Sequence, residues 1–415
     1  MSTRSDLSAA IRSLPRNVWV ATAASFLTDV SSEMVLNLIP LFLANVLGVR
    51  FAFVGLIEGI AETTASIVKL YSGWLSDRLG KRKLLAVAGY GLSTLAKPFL
   101  IFAGSWLGVL AVRFTERLGK GIRTAPRDAL IADSIDERNR GLAFGLHRAG
   151  DTAGAAIGLS IALIVVWSIQ GYRLEVERQT FNTLVMISII PAALAVLVLV
   201  VGLRETKSGS GAQAGLTMSF KNLGRRFAIF VLSIALFTLG NSSDAFVVLR
   251  AQERGVNLVG ILSMLILFNL VYALISGPAG ALSDRFNRRT IIVGSWIIYA
   301  VIYMGFAFAE STWHVWVLFA LYGAYYGVSE GIGKAYVADL VGADERGTAY
   351  GLFNAVIGLT VLPASLIAGI LWQGLGDWQG FGASAPFIFG SVMALLAAIL
   401  LSLMSNHQVG LPDKT

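Results

Sequence analysis

This 415-residue chain contains no cysteine and only three histidines. Without thiols it can form no disulfide, bind no metal through thiolates and use no cysteine nucleophile. His147, His314 and His407 lie far apart along the chain, so we expect no histidine metal site. The sequence also lacks a nucleophile paired with a base and a phosphate-binding loop, so we expect no enzymatic activity.

Charge is scarce as well. Only 14% of the residues are charged, 55% are hydrophobic and the mean hydropathy is +0.70. Such a composition excludes an ordinary soluble surface, so we expect an integral membrane protein in contact with the lipid bilayer. The net charge is +8, but the basic residues are dispersed among short loops and apolar stretches. We therefore expect no nucleic-acid partner.

Long apolar stretches are abundant. A membrane-spanning helix needs roughly 20 mainly apolar residues. The sequence predicts twelve such spans, near residues 18–46, 51–75, 84–103, 106–131, 141–167, 181–203, 228–250, 259–282, 290–309, 313–338, 348–372 and 385–404. A basic segment rich in glycine and serine, 204–227, is interpreted as a cytoplasmic linker. We thus predict an all-α membrane protein with an N-terminal half (1–203) and a C-terminal half (228–415).

The distribution of lysine and arginine predicts the orientation. If the N-terminus is cytoplasmic, most basic loop residues also face the cytoplasm, as the positive-inside rule requires. These residues are Arg78, Lys81, Arg82, Lys83, Arg138, Arg140, Arg285, Arg288, Arg289 and Arg346. We expect both termini to be cytoplasmic, in a bacterial-type inner membrane, and the protein to be a monomer.

One polar segment occurs twice. The stretch from Gly73 to Lys83 has a second copy from Gly280 to Arg289, in which Asn287 replaces the second glycine. Its spacing, Gly-x-x-x-Asp-Arg-x-Gly-basic-basic, resembles the loop between the second and third helices of the major facilitator superfamily of secondary transporters. Ala132-Asp133 and Ser31-Ser32-Glu33 also have second-half counterparts. The resemblance covers residues 18–404.

The resemblance implies two pseudo-symmetric six-helix halves that expose a central site alternately to either side of the membrane. It also implies that the repeated loop is a cytoplasmic gate, in which Asp77 pairs with Lys81 or Arg82. The gate residues that match are Gly73, Asp77, Arg78, Gly80, Lys81, Arg82, Asp133, Asp284 and Arg285.

Ionisable residues inside spans are expensive in lipid and are functional candidates. The first-half candidates for proton coupling are Asp29, Glu33, Glu58, Glu62, Arg113, Arg117 and Asp151. The fourth span also resembles the family's Arg-x-x-x-Gly-x-Gly pattern, with Arg113 or Arg117, one turn apart, preceding Gly119 and Gly121. The resemblance implies a role of that arginine in proton transfer or in controlling a nearby carboxylate. Asp29, Glu33 and Glu62 are the leading carboxylates. The alternative is that these charges form ion pairs that hold helices together.

A second set of residues is predicted to line a substrate cavity. Its members are Lys120, Arg123, His147, Asn241, Asp244, Asn269, Tyr325 and Asn354. Together they offer charge, hydrogen bonds and aromatic faces. The alternative for the polar and aromatic members is ordinary helix packing.

The segment containing Gly150, Gly154 and Gly158 resembles the family's antiporter motif, although Ala155 stands where that motif has proline. We therefore expect proton-coupled efflux of small organic or drug-like compounds, with the proton gradient as energy source and no cofactor. The alternative is transport of an anionic or zwitterionic metabolite, favoured by the cationic stripe from Arg113 to Arg127. A receptor or scaffold without transport is a third possibility.

Overall fold

A computed structural model describes residues 12–136, 139–206, 223–283, 286–329, 332–342 and 345–404. Within these ranges the protein is helical and contains no β-strand. A helix satisfies its backbone hydrogen bonds internally, which an apolar chain in lipid requires. Most of the predicted linker, and Asp284 and Arg285 of the predicted gate, lie outside the described residues.

The first six helices correspond to the first six predicted spans. They are α1 (Arg16–Glu33), α2 (Phe51–Leu79), α3 (Arg82–Ala96), α4 (Trp106–Asp133), α5 (Arg140–Gln170) and α6 (Arg178–Gly202). Short helical turns extend two of them: Leu36–Leu38, Ile39–Leu41 and Phe42–Val46 follow α1, and Lys97–Phe102 follows α3.

The remaining helices correspond to the last six predicted spans. They are α7 (Gly224–Gly240), α8 (Leu258–Ser283), α9 (Arg288–Phe308), α10 (Thr312–Ser329), α11 (Arg346–Gln373) and α12 (Ala385–Ser402). The short helix Ala245–Glu253 continues α7, and Ile332–Leu340 follows α10.

Ten helical segments in the described part of the chain are long and apolar enough to cross a membrane. The described parts of α4 and α10 do not meet that standard. The charged residues of α4 and the tyrosines and histidine of α10 lower their hydropathy. Twelve crossings therefore remain a prediction, whereas the helical, multi-span character of the chain is established.

The seventh span, like the first, is interrupted partway. α1 ends at Glu33 and the chain resumes as a 3-10 turn at Leu36. α7 ends at Gly240 and the helix resumes only at Ala245. Non-helical backbone at membrane depth is tolerated where it lines a cavity or is buried in protein. The two interruptions therefore indicate where a polar cavity can form.

Helix packing occurs mostly within the first six helices or within the last six. Within the first group, α1 packs on α5 and α6, and α4 on α2 and α3; within the second, α12 packs on α7 and α9, and α8 on α10. Two extensive contacts cross between the groups, α2 with α11 and α5 with α8.

The α2–α11 contact is a close seam. A Cβ added at Gly55 would lie 2.0 Å from the Ser365 carbonyl oxygen, so the helices touch where that side chain is missing. Thr63 Oγ1 donates to the Gly358 carbonyl at 2.6 Å. Arg50 closes the end of the seam by donating to the Gly376 carbonyl at 2.6 Å. The seam thus lies toward the membrane face where α2 begins.

We call that membrane face the Arg50 side, and the opposite face, at the turn between α2 and α3, the Arg82 side. The seam contacts occupy the Arg50-side part of α2. Toward the Arg82 side, Lys69 and Tyr71 of α2 are exposed.

We predict that Gly55→Val opens the seam, because a larger side chain cannot fit against the α11 backbone. The chain has no cysteine, so a single Ser365→Cys reporter, at a position 0% exposed, can be followed by maleimide labelling. Gly55→Val should accelerate its labelling several-fold. Gly91→Val is the matched control, because a Cβ at this helical glycine meets nothing within 4 Å. Equal labelling rates in the two variants would contradict the packing described.

Candidate functional site

A cavity of about 260 Å³ lies between the two groups of helices, at the interruptions of the first and seventh spans. Both groups contribute to its wall. The lining residues are Leu36, Asn37, Pro40, Glu58, Glu62, Arg113, Arg117, Asn241, Ser242, Ser243, Asp244, Ala245, Val248, Tyr326 and Val361. The wall is thus polar and ionisable along the first group, and the second group adds one carboxylate and an aromatic ring.

Salt bridges between α2 and α4 form the charged wall. Arg113, which is 2% exposed, donates to Glu58 at 2.7 Å and to Glu116 at 2.8 Å. Arg117 pairs with Glu62 at 2.8 Å, and its Nε lies 3.6 Å from Glu116. Buried charges of this kind persist only when they are compensated. Both arginines that precede Gly119 and Gly121 therefore line the cavity, and the ion-pair alternative applies to them.

Asp29 and Glu33 differ from those acids. Within the described part of the chain, neither forms a salt bridge with a lysine or arginine. Asn37 donates to Glu33 at 2.8 Å, and both acids are partly exposed. Asp29 interacts electrostatically with Glu33 and with Asp151. Neither acid lines the cavity, but Glu33 is joined to its wall through Asn37. Both acids are thus without a fixed counter-ion in the described residues.

The basic residues near these acids have different environments. Lys97 is 4% exposed and donates to Ser31 Oγ. Arg123 donates to Ser93 at 3.0 Å and stacks 4.3 Å from the Tyr90 ring centre. Lys120 is exposed, and its electrostatic neighbours include Glu62 and Arg117. Arg123 is therefore held in helix packing, whereas Lys120 remains accessible.

The predicted cavity residues of the second half separate into two sets. Asn241 and Asp244 line the cavity. Asn269 and Asn354 donate to carbonyls of their own helices, at 2.9 and 2.8 Å, and do not line it. Tyr325 is 6% exposed and belongs to a cluster of aromatic rings behind the wall. The interruption of the seventh span therefore supplies the polar groups of this half.

His147 and Asp151 of α5 also lie outside the cavity wall, with 3.7 Å between His147 Nε2 and Asp151 Oδ2. The glycines of the antiporter-like segment pack against α1: a Cβ at Gly154 would lie 2.5 Å from the Phe26 carbonyl oxygen. This close approach brings Asp151 near Asp29. The segment therefore acts at least as a packing surface between α1 and α5.

The repeated polar segment forms an ionic contact at the Arg82 side. Arg82 donates to Asp77 at 3.0 Å and to Asp133, and it also reaches the Ala129 carbonyl. Of the two predicted partners for Asp77, Arg82 makes this contact. Gly80 ends α2 in the left-handed conformation, with φ of 59°.

The other gate residues surround that contact. The Arg78 guanidinium lies 5.3 Å from the Trp74 ring centre, and Gly73 faces Ala125 of α4. In the second half, Arg288 pairs with Asp339 at 2.7 Å and reaches the Ala335 carbonyl. The same ionic contact is therefore present twice.

Two contributors to the site, Glu116 and Asn37, are not among the predicted site residues. Glu116 joins the two arginines, and its position three residues after Arg113 and one before Arg117 was a usable signal. Asn37, which orients Glu33, carried no signal because residues 18–46 read as one continuous span. Pro40 was the only local indication of an irregular helix.

Comparison with known proteins identifies the family. The sequence model of the Major Facilitator Superfamily matches residues 21–266 and 227–413. The chain belongs to this superfamily. The family predicted from the resemblance of the repeated loop is thereby confirmed.

Three similar proteins illustrate the relationship. An uncharacterised transporter of the superfamily from Methanocaldococcus jannaschii is 38% identical over 396 residues, covering 94% of this chain and 95% of the relative. The multidrug resistance protein MdtG of Citrobacter koseri is 24% identical over 324 residues, covering 74% and 76%. A crystal structure of the nucleoside transporter NupG has a TM-score of 0.79 at 12% identity, covering 93% of this chain and 99% of that one.

The protein is therefore a multi-pass membrane transporter of this superfamily, and not an enzyme. The likeness to NupG shows the fold alone.

We predict that Arg113→Leu lowers the free energy of unfolding by about 3 kcal/mol, because it leaves Glu58 and Glu116 as buried acids with less compensation. The measurement is unfolding in detergent, followed by tryptophan fluorescence. Adding Glu58→Leu should restore part of the loss. Arg173→Leu is the control, because its pair with Glu177 is exposed and such pairs contribute at most about 1 kcal/mol. Equal losses in Arg113→Leu and Arg173→Leu would contradict a structural network at α2–α4.

Proposed function

We propose that this protein is an alternating-access transporter that exports small organic, drug-like compounds in exchange for protons. The observation that carries the proposal is the position of Asp29 and Glu33. Both acids lie on α1, Glu33 accepts a hydrogen bond from Asn37 of the cavity wall, and neither acid forms a salt bridge within the described residues. A carboxylate without a fixed counter-ion can change its protonation state without breaking a buried ion pair.

The proposed movement is a rocking of the first six helices against the last six, about the cavity between them. Two features support it. The α2–α11 seam joins the two groups toward the Arg50 side. The ionic contacts of Arg82 and Arg288 each lie within one group, so they can hold each group together at the Arg82 side. Opening one side while closing the other would expose the cavity alternately.

The proposed coupling is electrostatic. Protonation removes the negative charge of Asp29 or Glu33. A cationic substrate in the cavity is stabilised by that same negative charge, so binding of the substrate and binding of the proton oppose each other. Lys120 interacts electrostatically with both acids, so its position affects how readily each acid takes up a proton. If the protein binds the substrate and the proton alternately rather than together, the substrate moves in one direction and the proton in the other.

The proposed setting is a bacterial-type inner membrane, with both termini and the Arg82 side facing the cytoplasm. The basic residues near that side support this orientation, among them Arg78, Lys81 and Lys83. We propose twelve crossings, divided into six-helix halves at residues 1–203 and 228–415, and a monomer as the working unit.

The proposed direction of transport, export, is supported by similarity. MdtG, to which this chain is similar, is named a multidrug resistance protein.

The competing proposal is an anionic substrate, and it is supported by Lys120, which is exposed. Arg113 and Arg117 support an anion site less well, because carboxylates already occupy their guanidinium groups.

We predict that lipophilic cations drive protons out of acid-loaded, inside-out vesicles that contain the protein. A fluorescent pH reporter in the lumen measures the proton movement as each compound from a panel of lipophilic cations and organic anions is added. Glu33→Gln should abolish the response, because an amide cannot take up the proton.

Glu175→Gln is the matched control for this change, since Glu175 is exposed in the turn between α5 and α6. It should respond like the unaltered protein. A response confined to anions, and lost in Lys120→Ala, would replace the export proposal with the anion alternative. Unchanged proton movement in Glu33→Gln would remove Glu33 from the coupling mechanism.

A further inference from the structure

We propose that Asp244, with the ring of Tyr326, forms a subsite for the positively charged group of the substrate, such as an organic ammonium or phosphonium ion. This inference deepens the proposed function and rests on it. It assigns the recognition of substrate charge to the second group of helices, apart from the acids proposed for proton coupling.

The first argument is the charge around Asp244. Its side chain borders the cavity and is exposed there. Its prominent electrostatic neighbours are other carboxylates, those of Glu33, Glu58 and Glu62. No salt bridge in the described ranges involves Asp244. A cation beside Asp244 would therefore meet a carboxylate that no described lysine or arginine already pairs with.

The second argument is the fate of the basic residues on the cavity wall. Arg113 and Arg117 are the two cations that line the cavity, and they are held by three carboxylates: Glu58, Glu62 and Glu116. These two arginines therefore cannot also neutralise Asp244. Among the described lining residues, the three carboxylates of Glu58, Glu62 and Asp244 outnumber the two guanidinium groups by one, and this excess of negative charge attracts a cationic ligand.

The third argument is the aromatic surface next to Asp244. Tyr322 donates its hydroxyl hydrogen to Asp244 Oδ1 at 2.7 Å, which fixes the carboxylate. Tyr326 lines the cavity, and its ring packs edge-on against Tyr322, with 5.0 Å between ring centres. Phe268 and Tyr325 support the Tyr326 ring from other directions, each with 5.5 Å between centres.

A rigid ring beside a carboxylate suits a large organic cation. The face of a tyrosine ring attracts a cation by about 0.5–2 kcal/mol, depending on how far water is excluded. Asp244 supplies the net charge, and Tyr326 supplies an apolar, electron-rich surface. A metal ion would instead need several oxygen ligands, and the described part of the chain holds no group of acids and histidines suited to a metal.

The test is equilibrium binding of tetraphenylphosphonium to the purified full-length protein in lipid nanodiscs. Tetraphenylborate, an anion of nearly equal shape, is the control, because a variant that loses affinity for both ions has lost it for a reason other than charge. We expect Asp244→Asn to weaken phosphonium binding by about tenfold, as expected for loss of one ionic contact in a partly hydrated cavity. Binding of tetraphenylborate should not weaken.

Substitutions at Tyr326 separate the ring from its hydroxyl. Tyr326→Phe should bind the phosphonium ion nearly as well as the unaltered protein, whereas Tyr326→Leu should bind it several-fold less tightly. Asp377→Asn, an exposed acid in the turn between α11 and α12, is the matched control and should have no effect. If Asp244→Asn does not fold, the comparison of the Tyr326 variants decides.

The outcomes separate this inference from the proposed function. Binding that depends on Asp244 without proton movement in vesicles would support the subsite and contradict proton coupling. Proton movement driven by cations, with binding unaltered in Asp244→Asn and Tyr326→Leu, would overturn the subsite alone. Failure of the phosphonium ion to bind the unaltered protein would also overturn it.

Discussion

The structure depends on how α4 keeps its charges inside a largely apolar bundle. Arg113 and Arg117 would be too costly to bury alone, and Glu58, Glu62 and Glu116 compensate them. That requirement fixes the facing surfaces of α2 and α4. α2 also packs against α11 across the seam. A single helix thus joins the ionic core of the first group to the boundary with the second.

The two groups of helices contribute different chemistry to one cavity. The first group carries many ionisable side chains, of which Asp29 and Glu33 are left without salt bridges in the described residues. The second group carries Asp244 among tyrosines. Such a division is useful to an exchanger, because one group can hold the proton-binding acids while the other recognises the substrate. Charge in the cavity then links the two.

Much of this organisation could be predicted from the sequence, because hydropathy and the repeated Gly73–Lys83 segment are local patterns. The interruptions of the first and seventh spans were not predicted, since residues 18–46 and 228–250 are each long and apolar enough overall to be interpreted as one continuous span despite their polar residues. The partners in each ion pair could not be predicted either, because Arg113 and Glu58 are far apart in sequence and only helix packing brings them together. The sequence singled out Asp29, Glu33 and Glu62 together, but which of these acids lacks a salt bridge depends on the packing and has no local pattern.

The central claim is that the two groups rock about the cavity under control of protonation. Spin labels on exposed residues of this cysteine-free chain test it most directly, with one pair on the Arg50 side, Tyr172 and Phe381, and one on the Arg82 side, Leu79 and Phe286. Distances measured by pulsed electron spin resonance at acidic and alkaline pH should change in opposite directions on the two sides. This change should disappear when Asp29 and Glu33 are replaced by amides. Distances that stay constant, or that change in the same direction on both sides, would contradict the account.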